Sequence, residues 1–316
     1  MLAATRPGSG IAVWALSSKT ILMDLKLGNY IYDAVFSRDL RQLAALSVTL
    51  GANSISKVAI FRLLDPREPV TIDLEYPRAM NMNIADDGTT VDLMAGEFNR
   101  ASPPERPCVV QSWRTADGKP LPLHPMRLPP QDLVQFSSDK TIMIGANRNQ
   151  PHATIWNTST GEPSGKLSGS GSSTSNLILI HLSLDGKTVA LGRQDRTLEV
   201  WDLASKTLRT TLRGHLKNFR PYRMQFVPDS ALLISEAYDN PAFGSLSVRA
   251  RYILSRVVAL GKDPDPALEI LVWDLRTGKI RAGIPGQGHA VLSEDGKRMA
   301  TAGDPGTIRI WDLSKL

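Results

Sequence analysis

The chain has 316 residues, 42% of them hydrophobic and 22% charged, enough to bury a large core as one repeat-built domain or two ordinary ones. Its formal net charge is +6 from 37 basic and 31 acidic residues, with no long charge run, which suits acidic partners without demanding them. No apolar run reaches the roughly 18 residues of a membrane span, and Met1–Gly8 lacks a charged start followed by an apolar core, so a cytoplasmic protein is expected, or a nuclear one in a eukaryote. Cys108 is alone, which excludes an intrachain disulfide.

In chain order, one strand pattern recurs. Ile11-Ala12-Val13-Trp14 is followed by Val58-Ala59-Ile60-Phe61, Val110-Gln111-Ser112-Trp113 and Thr154-Ile155-Trp156. The clearest copies are Leu198-Glu199-Val200-Trp201-Asp202, Ile270-Leu271-Val272-Trp273-Asp274 and Ile308-Arg309-Ile310-Trp311-Asp312. All six tryptophans and Phe61 thus occupy one slot of a repeat, with steps of 47, 52, 43, 45, 72 and 38 residues.

A second marker runs in phase with the first. Turns of the type Ser-x-Asp-Gly-Lys stand at Ser37–Asp39, Ala85–Gly88, Ser137–Lys140, Ser183–Lys187, Val227–Ser230 and Ser293–Lys297. Asp and Gly suit tight hairpins, which need side-chain-to-backbone bonds and positive φ. Further turns follow the aromatic slots, at Asp117-Gly118, Thr160-Gly161 and Thr277-Gly278. Each unit therefore reads as four strands, a to d. In the unit around Trp201 these are Leu177–Leu182, Thr188–Leu191, Thr197–Asp202 and Thr207–Leu212. Short β-branched runs with this spacing predict an all-β protein, and a period near 44 residues predicts a β-propeller of four-stranded antiparallel blades.

These strands and turns resemble the WD-repeat (tryptophan-aspartate repeat) family of β-propellers along essentially the whole chain, strongly around Trp201, Trp273 and Trp311. In that family an Asp in the b–c turn, a His at the d–a junction, a Ser or Thr on strand b and the Trp form a hydrogen-bonded set. The resemblance places Asp195 and Trp201 in one blade, Gly214-His215 ahead of the next, and His289, Thr301 and Trp311 in the last. Since the sets are incomplete, the Trp side chains are expected to act mainly by packing, and His215 and His289 are read as structural.

Leu2 to Trp14 and Met299 to Trp311 are equal intervals, so the chain begins on a strand b and ends after a strand c. Seven blades with the first and last incomplete are expected; six blades, or an open fragment of a larger propeller, are the alternatives. Residues 1–316 are read as a single propeller. Two stretches depart from the repeat: the proline-rich residues 101–130, and an insertion at about 237–266, in blade five if the Trp201 blade is counted as four. Helix and hairpin both remain open for that insertion.

No catalytic spacing emerges. There is no phosphate loop, no Gly-x-Ser-x-Gly elbow, and no His or Cys pair at metal-ligand spacing, so neither cofactor nor metal is expected and the chain is read as not an enzyme. The repeated Asp residues are explained by their turns. What remains is surface. The d–a and b–c loops of a propeller open on one face, which should gather Arg78, Arg100, Arg148, Arg193, Arg220, Tyr222, Arg223, Tyr238 and Phe243. Arginine with aromatics is the composition of interface hot spots. The expected function is a scaffold binding a protein or peptide partner, possibly acidic, on that face. Alternatives are the accessory propeller of a larger multidomain protein or enzyme, and a basic surface for nucleic acid.

Overall fold

A computed structural model describes residues 2–6, 10–15, 18, 20–26, 30–37, 39–48, 56–63, 65, 67–74, 79–85, 88–95, 109–121, 133–137, 139, 141–147, 150–158, 160–168, 174–183, 185–216, 219–228, 231–239, 268–286, 290–293, 295–302 and 307–316. These form two compact units, residues 1–131 and 132–316. Each is built from small antiparallel sheets in the β-propeller arrangement, with strands that follow one another in sequence side by side.

The first unit holds three sheets. Leu2–Arg6 (β1), Gly10–Ala15 (β2) and Thr20–Lys26 (β3) form one, with Leu2 opposite Trp14, the register of strands b, c and d. Tyr30–Phe36 (β4), Gln42–Val48 (β5), Ser56–Arg62 (β6) and Val70–Leu74 (β7) form a complete blade. Ala79–Ile84 (β8), Thr90–Ala95 (β9) and Val109–Arg114 (β10) form the third, and Trp113 also makes an isolated antiparallel bridge to Pro120.

The second unit holds four sheets. Leu133–Phe136 (β11), Ile142–Ala146 (β12), Ala153–Asn157 (β13) and Pro163–Leu167 (β14) come first. Leu177–Leu182 (β15), Thr188–Arg193 (β16), Leu198–Asp202 (β17) and Thr207–Leu212 (β18) follow. Phe219–Phe226 (β19), Leu232–Asp239 (β20), Leu268–Asp274 (β21) and Lys279–Gly286 (β22) make the next sheet. Ala290–Leu292 (β23), Arg298–Ala302 (β24) and Ile308–Asp312 (β25) match strands a, b and c. Of the proline-rich stretch residues 109–121 are described, and of the insertion residues 237–239; the rest of both lies outside the described residues.

In the β15–β18 sheet strands b and c are buried along nearly their whole length, whereas strand c of the last sheet leaves Ile308 and Ile310 exposed. On β16, Val189 and Leu191 join the core shared with the preceding sheet, where they meet Ile144 and Ile155. Ala190, between them, points the other way and packs with Met224, Leu233 and Trp273 of the following sheet. Period-two alternation thus feeds two cores at once. Trp201 and Trp273 are each 1% exposed. Burying about 150–250 Å² of indole at about 25 cal/mol per Å² gives each an upper bound of about 4–6 kcal/mol.

The Ser-x-Asp turns share one chemistry. Ser37, Ser137, Ser183 and Ser293 each donate from Oγ to the Asp two residues on, at 2.5–2.7 Å. The same Oγ accepts the backbone N–H five residues on, from Gln42, Ile142, Thr188 and Arg298. The carboxylates of Asp39, Asp139, Asp185 and Asp295 are held below the usual range chiefly by those Ser hydroxyls. In the Trp-Asp pairs the Asp has the same duty in the c–d turn. Asp202 accepts from the N–H and Oγ of Ser205 and pairs with Arg209, which brings its carboxyl down to about 2.

Inner strands are also stitched to one another. Gln135 on β11 accepts the N–H of Leu182 on β15 at 2.7 Å, and Gln225 on β19 donates to the carbonyl of Ala290 on β23 at 2.7 Å.

Candidate partner-binding surface

Three tryptophans do more than pack, and their bonds reveal what the sequence hid. Trp273 Nε1–H donates to Ser235 Oγ at 2.7 Å, and Ser235 Oγ lies 2.7 Å from His215 Nε2. His215 Nδ1 is 2.6 Å from Glu269 Oε2. With Nδ1 carrying the proton, every group is satisfied: Trp donates to Ser, Ser to His, His to Glu. This is the hydrogen-bonded set expected to be incomplete, and it corrects the packing-only reading for this blade. Glu269, at the start of β21, takes the role of the b–c turn Asp. Trp311 Nε1–H donates to Thr301 Oγ1 at 2.9 Å, while His289 is outside the described residues.

The Trp201 blade uses a different set. Leu191 stands where Ser235 stands in the next sheet, because Leu191 pairs with Glu199 as Ser235 pairs with Leu271. Trp201 Nε1–H therefore donates to Glu199 Oε2, at 3.1 Å. Glu199 is ion-paired with Arg193 at 2.7 Å, and both side chains are fully buried. Arg193 Nη1 also donates to the carbonyls of Pro151 and Ser175, at 2.8 and 2.6 Å. Arg193, expected on the loop face, is thus the last residue of β16 and a structural cross-tie between two sheets. Asp195 does not reach Trp201; it caps the turn, accepting from the N–H and Oγ1 of Thr197. Phe61, Trp113 and Trp156 are buried in their slots, and Trp14 and Trp311 are half-buried.

Arg220, Tyr222, Arg223 and Tyr238, expected in loops, lie on strands β19 and β20. Strand β20 runs to Asp239, into the insertion expected from about 237, because Glu236, Ala237 and Tyr238 continue its pairing with β21. Pro221 is tolerated within β19 because that strand is the sheet's edge, where a missing donor costs little. The register jumps from Pro221–Ala237 to Arg223–Glu236, leaving Tyr222 as a bulge residue.

The bulge sends Tyr222 toward Tyr238 and Glu236. The two rings meet edge to face with centroids 5.5 Å apart. Tyr222 Oη–H donates to Glu236 Oε2 at 2.7 Å. Glu236, 1% exposed, also accepts the N–H of Ala290 at 3.1 Å and has Arg223 Nε 3.8 Å away. Burial, then the Glu236 charge, pushes the Tyr222 hydroxyl far above its ordinary value, so it remains a donor at any physiological pH. Arg220 is opposite Tyr238 in the register, at the end of the sheet where the d–a and b–c connections lie.

That end carries further residues which the sequence reading passed over. Arg213 and Leu216 are exposed in the link between β18 and β19, Leu216 at 55%. Arg196 is half-exposed in the turn between β16 and β17, with φ of +73°. The Gly214-His215 pair could have pointed to Arg213 and Leu216, since it fixes the link between them; nothing in the sequence distinguished Arg196 from Arg193. The carboxylates of Glu199, Glu236 and Glu269 are tied to donors, and Asp195, exposed next to Arg196, caps its own turn; the exposed side chains include Arg213 and Leu216. Arg78, Arg100, Arg148 and Phe243 fall outside the described residues.

Among the described residues no group of three or more His, Cys, Asp or Glu side chains could hold a metal ion, and no helix is long and apolar enough to cross a membrane.

The family model for the WD domain, G-beta repeat, matches residues 287–312, which carry the last Ser-x-Asp turn and Trp311. Autophagy-related protein 16 of Arabidopsis thaliana is 25% identical over 180 residues, 51% of this chain and 34% of that protein. Protein groucho of Drosophila melanogaster is 27% identical over 140 residues, 42% of this chain and 15% of that protein. The chain therefore spans about a third or less of the length of these relatives. The blades, the Trp slots and the Trp273–Ser235–His215–Glu269 chain agree with the matched WD-domain model: the chain is similar to WD-repeat proteins and has the β-propeller arrangement of strands.

Proposed function

We propose that the protein is a non-catalytic interaction scaffold that binds an acidic peptide or protein segment at the loop-side end of its blades. The observation that carries this reading is the pairing of charge with apolar surface there. Arg220 is opposite Tyr238, Arg213 shares the β18–β19 link with the exposed Leu216, and Arg196 is in the β16–β17 turn, while the carboxylates of Glu199, Glu236 and Glu269 are held by structural donors. Arginine with an aromatic neighbour supplies both carboxylate recognition and desolvated contact area. Similarity to the WD-domain model supports a scaffold role in general terms. A second reading, an accessory module of a larger assembly, is favoured by the small share of each relative that the chain covers.

The test is affinity capture with the wild-type chain and with R213E/R220E, with quantitative comparison of the bound proteins and a thermal melt to verify folding. Loss of a discrete set of partners from the folded variant is expected. An unchanged set would sink the proposed surface.

A further inference from the structure

The bulge in β19 has counterparts. The register slips at Tyr222, and it slips likewise at Tyr32 on β4 and Ile178 on β15, so the bulge belongs to the repeat. What is particular to β19 is the pair of residues that flanks it. Residues 220 and 223 are three apart, and on a regular strand they would point to opposite faces. The extra residue cancels that offset. Arg220 stands opposite Tyr238 and Arg223 opposite Glu236, which are two residues apart on β20, so both guanidiniums project from one face. The position of Arg223 is held by Leu179 on β15 and by Asp33 on β4.

These two cations are short of acceptors. Arg220 is half-buried and makes no hydrogen bond or ion pair among the described residues. Arg223, with 39% of its side chain exposed, has Glu236 Oε1 3.8 Å from its Nε, beyond hydrogen-bond reach. Glu236 already accepts from the Tyr222 hydroxyl and the Ala290 N–H. Its single negative charge leaves one of the two positive charges uncompensated. Strand positions two residues apart are separated by about 7 Å, close enough for two guanidinium forks to meet on one carboxylate.

We propose that Arg220 and Arg223 form a carboxylate-binding subsite, which takes one Asp or Glu side chain of the partner. This rests on the acidic-segment reading above and names the part of that surface that holds the anion. One carboxylate supplies the charge that the cluster lacks and accepts from both forks. A phosphate ester, with a charge of about −1.5 to −2, would stand near Glu236 with part of that charge unmatched. Tyr238, held edge to face by Tyr222, offers its ring to the methylene stem of the bound residue.

A hexaglutamate peptide blocked at both ends is the probe, titrated into the full chain while the arginine Nε–H signals are followed by NMR. The signals of Arg220 and Arg223 should both shift, and hexaglutamine should move neither. Arg223→Gln should weaken hexaglutamate binding by at least ~5-fold with the thermal melt preserved, and Arg223→Lys, which keeps the charge without the fork, should recover only part of it. Binding that Arg213→Glu weakens and R223Q leaves unchanged overturns the subsite while the acidic-segment reading stands. Absence of binding to the wild type overturns both. If R223Q fails to fold, the Arg223 signal of the wild type decides, and no shift refutes the subsite. Replacing one central Glu of the peptide with phosphoserine should bring no gain; binding at least ~10-fold tighter would overturn the choice of a carboxylate.

Discussion

Replacing Ser235 with alanine removes one oxygen and leaves two buried groups without partners. Trp273 Nε1–H loses its acceptor, and His215 Nε2 loses its donor. Ser235 is fully buried, Trp273 is 1% exposed and His215 8%, so water cannot substitute without opening the blade. Each orphaned buried group costs about 1–3 kcal/mol, which gives about 2–6 kcal/mol in all. That is a large part of the ~5–15 kcal/mol that holds a domain folded. Urea unfolding followed by tryptophan fluorescence is the assay. At a slope of about 1–3 kcal/mol per M, the midpoint should fall by ~1 M or more. Ser235→Thr, which keeps a hydroxyl on Cβ, should recover part of the loss. A decrease in S235A below about 0.5 kcal/mol would refute the hydrogen-bonded chain and return Trp273 to a packing role alone.

Two further outcomes follow from the same accounting of buried groups. Arg193→Leu leaves Glu199 as a buried carboxylate with its cation removed, and should cost about 3–5 kcal/mol in urea unfolding, whereas Glu199→Gln, which still offers Trp201 an acceptor, should cost less than R193L. Gly296→Ala places a Cβ 2.6 Å from the carbonyl of Pro228 in a residue with φ of +62°. A thermal melt should show it destabilised by at least ~1–2 kcal/mol, more than Gly186→Ala, whose Cβ has 3.6 Å to its nearest neighbour.

The turns were legible because their chemistry is local. Ser183, Asp185 and Gly186 lie within four residues, and the bonds they make close within six, so composition alone predicts the hairpin. The strands were legible for a related reason: Leu177–Leu182 and Thr207–Leu212 were expected with the bounds that they have. The Trp ruler worked because one large side chain per blade fills an equivalent gap.

The polar sets were not legible, because their members meet only across strands. Glu269 reaches His215 over 54 residues of sequence, and neither position announces the other. Arg193 and Arg196 look alike in the chain, yet one is sealed beneath a carboxylate and the other is half-exposed; two residues of strand length decide it. The Arg and Tyr residues assigned to loops proved to be on β19 and β20, since a proline at a sheet edge and a one-residue bulge extend a strand that local rules would end. By itself the sequence determined the repeat and its turns, because these rest on period and local bonding. Only the tertiary structure decided which charges are paired inside the blades and which stay exposed, because burial and pairing depend on neighbours that the chain brings together from other strands and sheets.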